Sequence, residues 1–204
     1  SEALDDIAQI AQSLNIKVVN CSFGISGGGT DPTQRAKANA LVDRGVVVVA
    51  SSGNNGGGGS TADPGRASKV LTVGGVNDIN QVASYSSGSL LSAADTDDKP
   101  DLVAPGGSSY RSKILSVDSN GAEAANPSFP DVQANDYTSI LGTSMAAPLV
   151  AGASALVIQA LESKGHVWSW DSSASPLFVK MLLTASATET NANRETSAYN
   201  PTLG

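Results

Sequence analysis

Cysteine, histidine and positive charge are all scarce in this chain. Its 204 residues include one cysteine and one histidine, and 12 Lys and Arg residues stand against 19 Asp and Glu residues, giving a net charge of −7. A single cysteine excludes an intrachain disulfide and a thiolate metal cluster. The acidic balance, with no basic stripe along the chain, argues against a nucleic-acid partner. Cys21 follows an apolar run, so we expect a buried, inert thiol.

Long apolar runs are missing as well. The longest covers residues 145–161, and it is interrupted by Pro148, Gly152, Ser154 and Gln159. A membrane-spanning helix needs about 20 predominantly apolar residues. We therefore expect a buried core helix here and no membrane partner. Hydrophobic residues make up 40% of the chain and charged residues 15%, which is typical of a globular protein.

Strand and helix patterns alternate along the chain. Residues 16–23 are rich in β-branched side chains, Asp31 and Pro32 supply the cap and first turn of a helix that reaches about Arg44, and residues 46–50 form an apolar run. This strand–helix–strand succession predicts parallel strands, and hence an α/β fold. Further strands are expected at 69–73, 82–85, 102–104 and 113–117, and helices at 4–14, 144–163 and 176–187, the last capped by Ser175.

The ends of two predicted strands direct attention to one edge of the sheet. Parallel sheets bind ligands beyond the carboxyl ends of their strands. Residues 22–24 and 51–54 follow two of these strands, and Ser144 starts a long apolar helix whose first N–H groups lack helical partners. Such a serine suits a nucleophile that generates an oxyanion, although its position alone favours an ordinary helix-capping serine.

The full string around Ser144 resembles the nucleophile signature of the subtilisin family of serine proteases. Residues 142–152 read GTSMAAPLVAG, with Leu149 at a position where the family usually has histidine. Four further segments resemble family strings in the same order: 18–24 (VVNCSFG), 46–55 (VVVVASSGNN), 63–74 (DPGRASKVLTVG) and 99–106 (KPDLVAPG). The resemblance covers nearly the whole chain. It implies a subtilisin-like three-layer fold, with a parallel β-sheet flanked by helices.

The resemblance also implies a set of site residues. Ser144 would be the nucleophile of a serine endopeptidase, and Asn54 would be the side-chain donor of its oxyanion hole. Two peptide segments would wall the first substrate pocket: Ser22, Phe23 and Gly24 on one side, and Ala50, Ser51, Ser52 and Gly53 on the other. Asn55 would lie at the rim of the pocket and Ala62 near its base. Neither is charged, which predicts a preference for large apolar side chains, although Asp63 lies close by.

The catalytic aspartate and histidine of the family precede its serine, and this chain offers neither in the expected order. The sole histidine, His166, follows Ser144 by 22 positions, so a helix between them would separate the two side chains by roughly 30 Å. A general base must lie within about 3 Å of the hydroxyl. His166 is therefore interpreted as a surface or capping residue.

Two functional interpretations follow. In the first, residues 1–204 are the C-terminal part of a peptidase catalytic domain, an incomplete domain that is inactive alone. The aspartate and histidine would then lie on an N-terminal part of the same precursor or on a separate chain. In the second, the chain is a non-catalytic homologue that binds peptides as an interaction module. Both predict a peptide or protein partner, and the resemblance implies secretion to the extracellular space.

No cofactor is predicted from the sequence. An acidic patch at Asp95, Asp97, Asp98 and Asp101 could bind a structural calcium ion, but it lacks the glycine and glutamate of an EF-hand loop. A solvated acidic loop is the preferred interpretation.

Overall fold

The computed structural model describes residues 2–25, 30–57, 59–88, 99–117, 137–190 and 193–196. Four helices and six strands are formed by these residues, in the order α1 (Glu2–Ile10), β1 (Val18–Cys21), α2 (Pro32–Asp43), β2 (Val47–Ser51), β3 (Leu71–Val76), β4 (Leu102–Pro105), β5 (Ile114–Val117), β6 (Tyr137–Ile140), α3 (Thr143–Ser163) and α4 (Ala174–Ser186).

Four of the strands form one parallel sheet in the order β1-β2-β3-β4. Because the four strands are parallel, their carboxyl ends all lie along one edge of the sheet. The predicted parallel α/β architecture is thereby confirmed. Strands β5 and β6 form a separate antiparallel pair immediately before α3.

Helices cover both faces of this sheet. Strand β2 shows why, because every one of its residues is buried and its side chains alternate between two hydrophobic clusters. Val48 and Ala50 pack with residues of α1 and α2, whereas Val47 and Val49 pack with residues of α3 and α4. The side chains of such an apolar run are buried on both faces of the sheet only when helices cover both faces, which gives the three-layer arrangement.

Helix α3 is long and apolar enough to cross a membrane by length and composition. It lies instead against all four strands of the parallel sheet. Ala146, Ala147, Val150 and Ile158 provide its contribution to the core between the sheet and α4. The expected core helix is therefore present, and it begins one residue before Ser144.

Three local expectations differ from the structure. Residues 82–85 form no strand and make a single bridge, from Val82 to Val76, before a turn. Strand β6 has no counterpart among the predicted strands, because its four residues carry no strong apolar alternation. Ser175 does not cap α4, which begins at Ala174; its Oγ instead accepts the backbone N–H of Ser169 at 3.0 Å. Asp31 does cap α2, accepting N–H groups of Thr33 and Gln34.

Candidate active site

The carboxyl ends of β1 and β2 meet the N-terminus of α3. Ser22 follows β1, Asn54 follows β2, and Ser144 is the second residue of α3. The backbone N–H groups of the first turn of a helix have no helical acceptor, and they lie at the positive end of the helix dipole. Ser144 therefore lies where negative charge is stabilised.

The side chain of Asn54 is oriented by Thr143. Its Oδ1 accepts the backbone N–H of Thr143 at 2.9 Å and the Thr143 hydroxyl at 3.0 Å. The same hydroxyl accepts the backbone N–H of Gly53 at 3.1 Å. Because a backbone N–H can only donate, these contacts identify the oxygen of the amide and leave the Nδ2 donor on the other side. Thr143 is fully buried, whereas Asn54 is exposed, so the amide is held from its buried side and stays accessible to a ligand on the other.

Gly142 makes room for the Asn54 amide. Its φ of 148° is one that residues with a side chain rarely adopt, and a Cβ built here would lie 3.2 Å from Asn54 Nδ2. The backbone N–H of Gly142 donates to the carbonyl of Gly106 at 2.9 Å, which holds the entry to α3 against the loop after β4. The glycine of the signature is thus required by conformation and by space.

The Ser22 hydroxyl supplies the hydrogen bond that the Ser144 carbonyl cannot receive from its own helix. Pro148 lies inside α3 and has no N–H, so the carbonyl of Ser144, four residues earlier, lacks its usual helical donor. The Ser22 hydroxyl donates to this carbonyl at 2.8 Å, and the Asn20 side chain donates to the Ser22 hydroxyl at 2.8 Å. This contact joins the segment after β1 directly to Ser144.

A cavity of about 260 Å³ opens beside these groups, lined by Gly24, Ile25, Ser51, Gly53, Asn54, Asn55, Ala62, Thr143 and Ser144. The methyl group of Ala62 separates its two walls, since a Cβ on Gly24 would lie 2.7 Å from it and a Cβ on Gly53 would lie 3.5 Å from it. Only a glycine at position 24 fits against this methyl group.

Asp63 lies next to the cavity lining, but its charge is paired. The carboxylate is completely buried and makes two bonds of 3.0 Å with the Arg35 guanidinium. It also accepts the backbone N–H of Asp31 at 2.7 Å. A bidentate arginine pair of this kind satisfies the carboxylate in full, so no free negative charge is contributed to the pocket by Asp63.

Not every residue expected in the pocket walls lines the cavity. Ala50 and Ser52 are fully buried outside the lining, and Ser22 and the half-exposed Phe23 also lie outside it. Conversely, Ile25 and Thr143 line the cavity although the sequence does not predict them there. Both adjoin a predicted site segment in the sequence, but only the fold brings their side chains to the cavity.

His166 and Cys21 take no part in this site. His166 lies beyond the far end of α3, where its Nε2 contacts the Ser175 hydroxyl at 3.2 Å and its ring lies against Phe178. Cys21 is 1% exposed, as expected, and burial raises the pKa of its thiol to about 11. A thiol of that kind is protonated and unreactive at neutral pH.

The acidic patch lies largely outside the described residues, which include Asp101 but not Asp95, Asp97 or Asp98. The Asp101 carboxylate is paired with Lys99 at 2.7 Å and Lys180 at 2.8 Å, and it accepts the N–H of Thr72. Among the described residues, no group of three or more His, Cys, Asp or Glu side chains could hold a metal ion.

The geometry thus describes a parallel α/β protein with a serine at a helix N-terminus, an oriented asparagine amide and a small uncharged pocket. Residues 1–200 match the model of the subtilase family, peptidase S8. The chain belongs to this family.

Individual relatives agree with this assignment. The chain is 35% identical over 137 residues to the serine protease AprX of Bacillus subtilis (strain 168), an alignment that covers 63% of this chain and 29% of AprX. Among solved structures it is similar to a protease of Pseudoalteromonas arctica PAMC 21717, with 28% identity, a TM-score of 0.65 and coverage of 85% of this chain and 45% of that one.

A cold-adapted subtilisin-like serine proteinase gives 26% identity and a TM-score of 0.62, covering 92% of this chain and 54% of that one. The subtilisin-like α/β fold is therefore shown. The chain spans about half the length of these two solved structures and less than a third of the length of AprX.

Proposed function

We propose that the protein is a serine endopeptidase in which Ser144 is the nucleophile and Asn54 is an oxyanion-hole donor. The observation that supports this most directly is the contact between Thr143 and Asn54, which fixes the amide beside Ser144 with its Nδ2 on the side away from Thr143. An amide held in this way requires no reorganisation when negative charge develops on a substrate carbonyl, and such preorganisation is a major source of catalysis.

The chemistry needs one further group. Attack of Ser144 Oγ on a peptide carbonyl forms a C–O bond while a base takes the hydroxyl proton, and the carbonyl oxygen becomes the oxyanion. The same group then protonates the leaving amine as the C–N bond breaks, and water hydrolyses the resulting acyl-enzyme. Asn54 Nδ2 and the backbone N–H of Ser144 would stabilise the oxyanion.

The base is proposed to come from the rest of the catalytic domain. His166 is excluded by its position, because the 21 residues of α3 extend over roughly 30 Å. Two surfaces favour a covering partner. Leu149 and Leu156 on α3 are 49% and 67% exposed, and β1 has a neighbouring strand on one side only within the described sheet. Exposed apolar helix faces and open sheet edges are characteristic binding surfaces.

The substrate is proposed to be a peptide with a large, uncharged side chain before the cleaved bond. The described residues that line the cavity beside Ser144 carry no charge, and the carboxylate of Asp63 is already bound to Arg35. The Ala62 methyl limits its depth. Profiling on a peptide library would test this, and a dominant preference for Lys or Arg would contradict it.

The test of the function uses residues 1–204 with and without the remainder of the domain. Each sample is assayed with a chromogenic peptide and with a fluorophosphonate probe. Ser144 without a base has an ordinary, weakly nucleophilic hydroxyl, so both signals should be negligible for residues 1–204 alone. Both should appear on complementation.

Two variants separate the outcomes. Ser144→Ala should abolish labelling and turnover, whereas Ser163→Ala, at the exposed end of the same helix, should leave both unchanged. Strong labelling of Ser144 without complementation would contradict the need for an external base. Peptide binding with no labelling, even after complementation, would favour the alternative, a non-catalytic peptide-binding module.

A further inference from the structure

A short segment far from the nucleophile in sequence supports the loop that carries Asn54. This segment, residues 193–196, lies against the turn formed by residues 82–87 and is called here the clasp segment. The backbone N–H of Glu195 donates to the Val82 carbonyl at 2.9 Å. The Arg194 guanidinium donates to the carbonyls of Ala83 at 3.1 Å and Ser86 at 2.9 Å.

The Glu195 carboxylate joins three separate parts of the chain. It accepts the Asn77 side-chain amide at 3.2 Å, the backbone N–H of Ser84 at 3.1 Å and the Ser84 hydroxyl at 3.3 Å. The Ser108 hydroxyl also donates to it. The residue is only 5% exposed, and a buried carboxylate that lost these donors would be costly. Glu195 thus fixes the turn relative to the ends of β3 and β4.

The other side of the same turn holds the loop around Asn54. Gly56 donates its N–H to the Tyr85 carbonyl at 2.7 Å, and Asn55 donates its N–H to the Ser87 hydroxyl at 2.9 Å. Ser87 in return donates its N–H to the carbonyl of Gly53 at 2.9 Å. These three bonds bracket Asn54 on both sides.

The turn is also connected to the entry of α3. The Tyr85 hydroxyl donates to the carbonyl of Gly107 at 2.9 Å, and Gly142 donates its N–H to the adjacent Gly106. Burial raises the pKa of Tyr85 above its ordinary value, so this hydroxyl remains a donor. The clasp segment, the turn and the two loops of the candidate site therefore form one continuous network of hydrogen bonds.

Such support matters because glycines on both sides of Asn54 leave the backbone of this loop many accessible conformations. Gly53 and Gly56 have φ values of 107° and 77°, and neither glycine has a side chain that could pack. Catalytic groups must be held within a fraction of an ångström of their working positions, and that precision comes from the groups behind them.

We propose that Arg194 and Glu195 are positioning residues for the Asn54 oxyanion donor. They act through the turn at residues 82–87 and never touch the substrate. The inference rests on the proposed peptidase function for its kinetic test, but its structural part can be measured without activity.

The kinetic test is a double-mutant cycle in the complete protein, with Arg194→Ala and Asn54→Ala made singly and together. Deleting the Asn54 amide removes all of its stabilisation of the transition state, whereas displacing the amide removes only part of it. Arg194→Ala should therefore lower kcat about tenfold with KM unchanged. In the Asn54→Ala background the same change should have almost no effect on kcat. Fully multiplicative losses would overturn the inference, because Arg194 would then act independently of Asn54.

Hydrogen exchange provides the activity-independent measurement. Arg194→Ala and Glu195→Gln should speed amide exchange at Asn55, Gly56 and Ser87, whose N–H groups bond across the turn. Arg44→Ala is the matched control, since Arg44 makes an exposed pair with Asp171 and should leave those amides unchanged. Unchanged exchange in the clasp variants would overturn the inference, whether or not the protein proves to be a peptidase.

Inactivity of the wild type with faster exchange in the variants would contradict the proposed function alone. If Arg194→Ala is unfolded at the assay temperature, Glu195→Gln replaces it in the same measurements. Glutamine keeps the size of Glu195 but removes the carboxylate that accepts from Asn77, Ser84 and Ser108, so the expected and the contradicting results are the same as for Arg194→Ala.

Discussion

The contact between Ser22 and the Ser144 carbonyl leads to a sharp prediction about stability. Pro148 removes the N–H that would normally bond this carbonyl, and the Ser22 hydroxyl replaces it at 2.8 Å. Ser22→Ala leaves the partly buried carbonyl without that donor. An unsatisfied group of this kind costs about 1–2 kcal/mol. For a chain of this size that corresponds to a decrease in Tm of about 2–8 °C.

The informative variant is the double substitution. Alanine at position 148 restores a backbone N–H four residues after Ser144, so the helix itself can satisfy the carbonyl. Ser22→Ala should therefore cost clearly less free energy of unfolding in the Pro148→Ala background than in the wild type. Urea unfolding of the four proteins in the cycle measures this coupling.

A control and a refuting result complete the experiment. Ser163→Ala removes a hydroxyl that bonds the Ala160 carbonyl at the exposed end of α3, and it should change stability by less than about 0.5 kcal/mol. Equal losses from Ser22→Ala with and without Pro148 would refute the argument that one donor substitutes for the other.

Four further predictions concern single positions. In the complete enzyme, Asn54→Ala should lower kcat by about 10²–10³ with KM little changed, a range taken from the oxyanion-hole asparagine of subtilisin itself; a raised KM with unchanged kcat would make Asn54 a binding residue. Ala62→Gly should deepen the cavity and raise kcat/KM for the bulkiest side chains in library profiling, and an unchanged profile would place the pocket base elsewhere. Cys21 should resist a thiol reagent at pH 8 in the native protein and react fully in denaturant, because burial raises its pKa to about 11. Burial lowers the pKa of Lys99 to about 8, whereas an unperturbed lysine has a pKa of about 10.4. Between these two pH values the unfolded chain binds more protons than the folded one, so the free energy of unfolding should rise with pH across that window. Lys99→Met should flatten the rise.

Local patterns in the sequence were sufficient for much of the fold, and a short motif was sufficient to nominate the central residues of the candidate site. The apolar run of β2 predicted a strand buried on both faces, Asp31 and Pro32 predicted the start of α2, and the string around Ser144 predicted the long core helix. These features depend on neighbours along the chain, so periodicity, capping and a short motif contain the necessary information.

Tertiary structure alone decided how those residues are held. The Ser22 hydroxyl meets the Ser144 carbonyl across 122 positions of sequence, and Arg194 bonds Ala83 across 111. The pairing of Arg35 with Asp63, which removes a charge from the pocket, spans 28. A serine, an arginine or an aspartate can form many such bonds, and the sequence does not state which partner is near. That choice is made only when the sheet and its helices bring distant segments together.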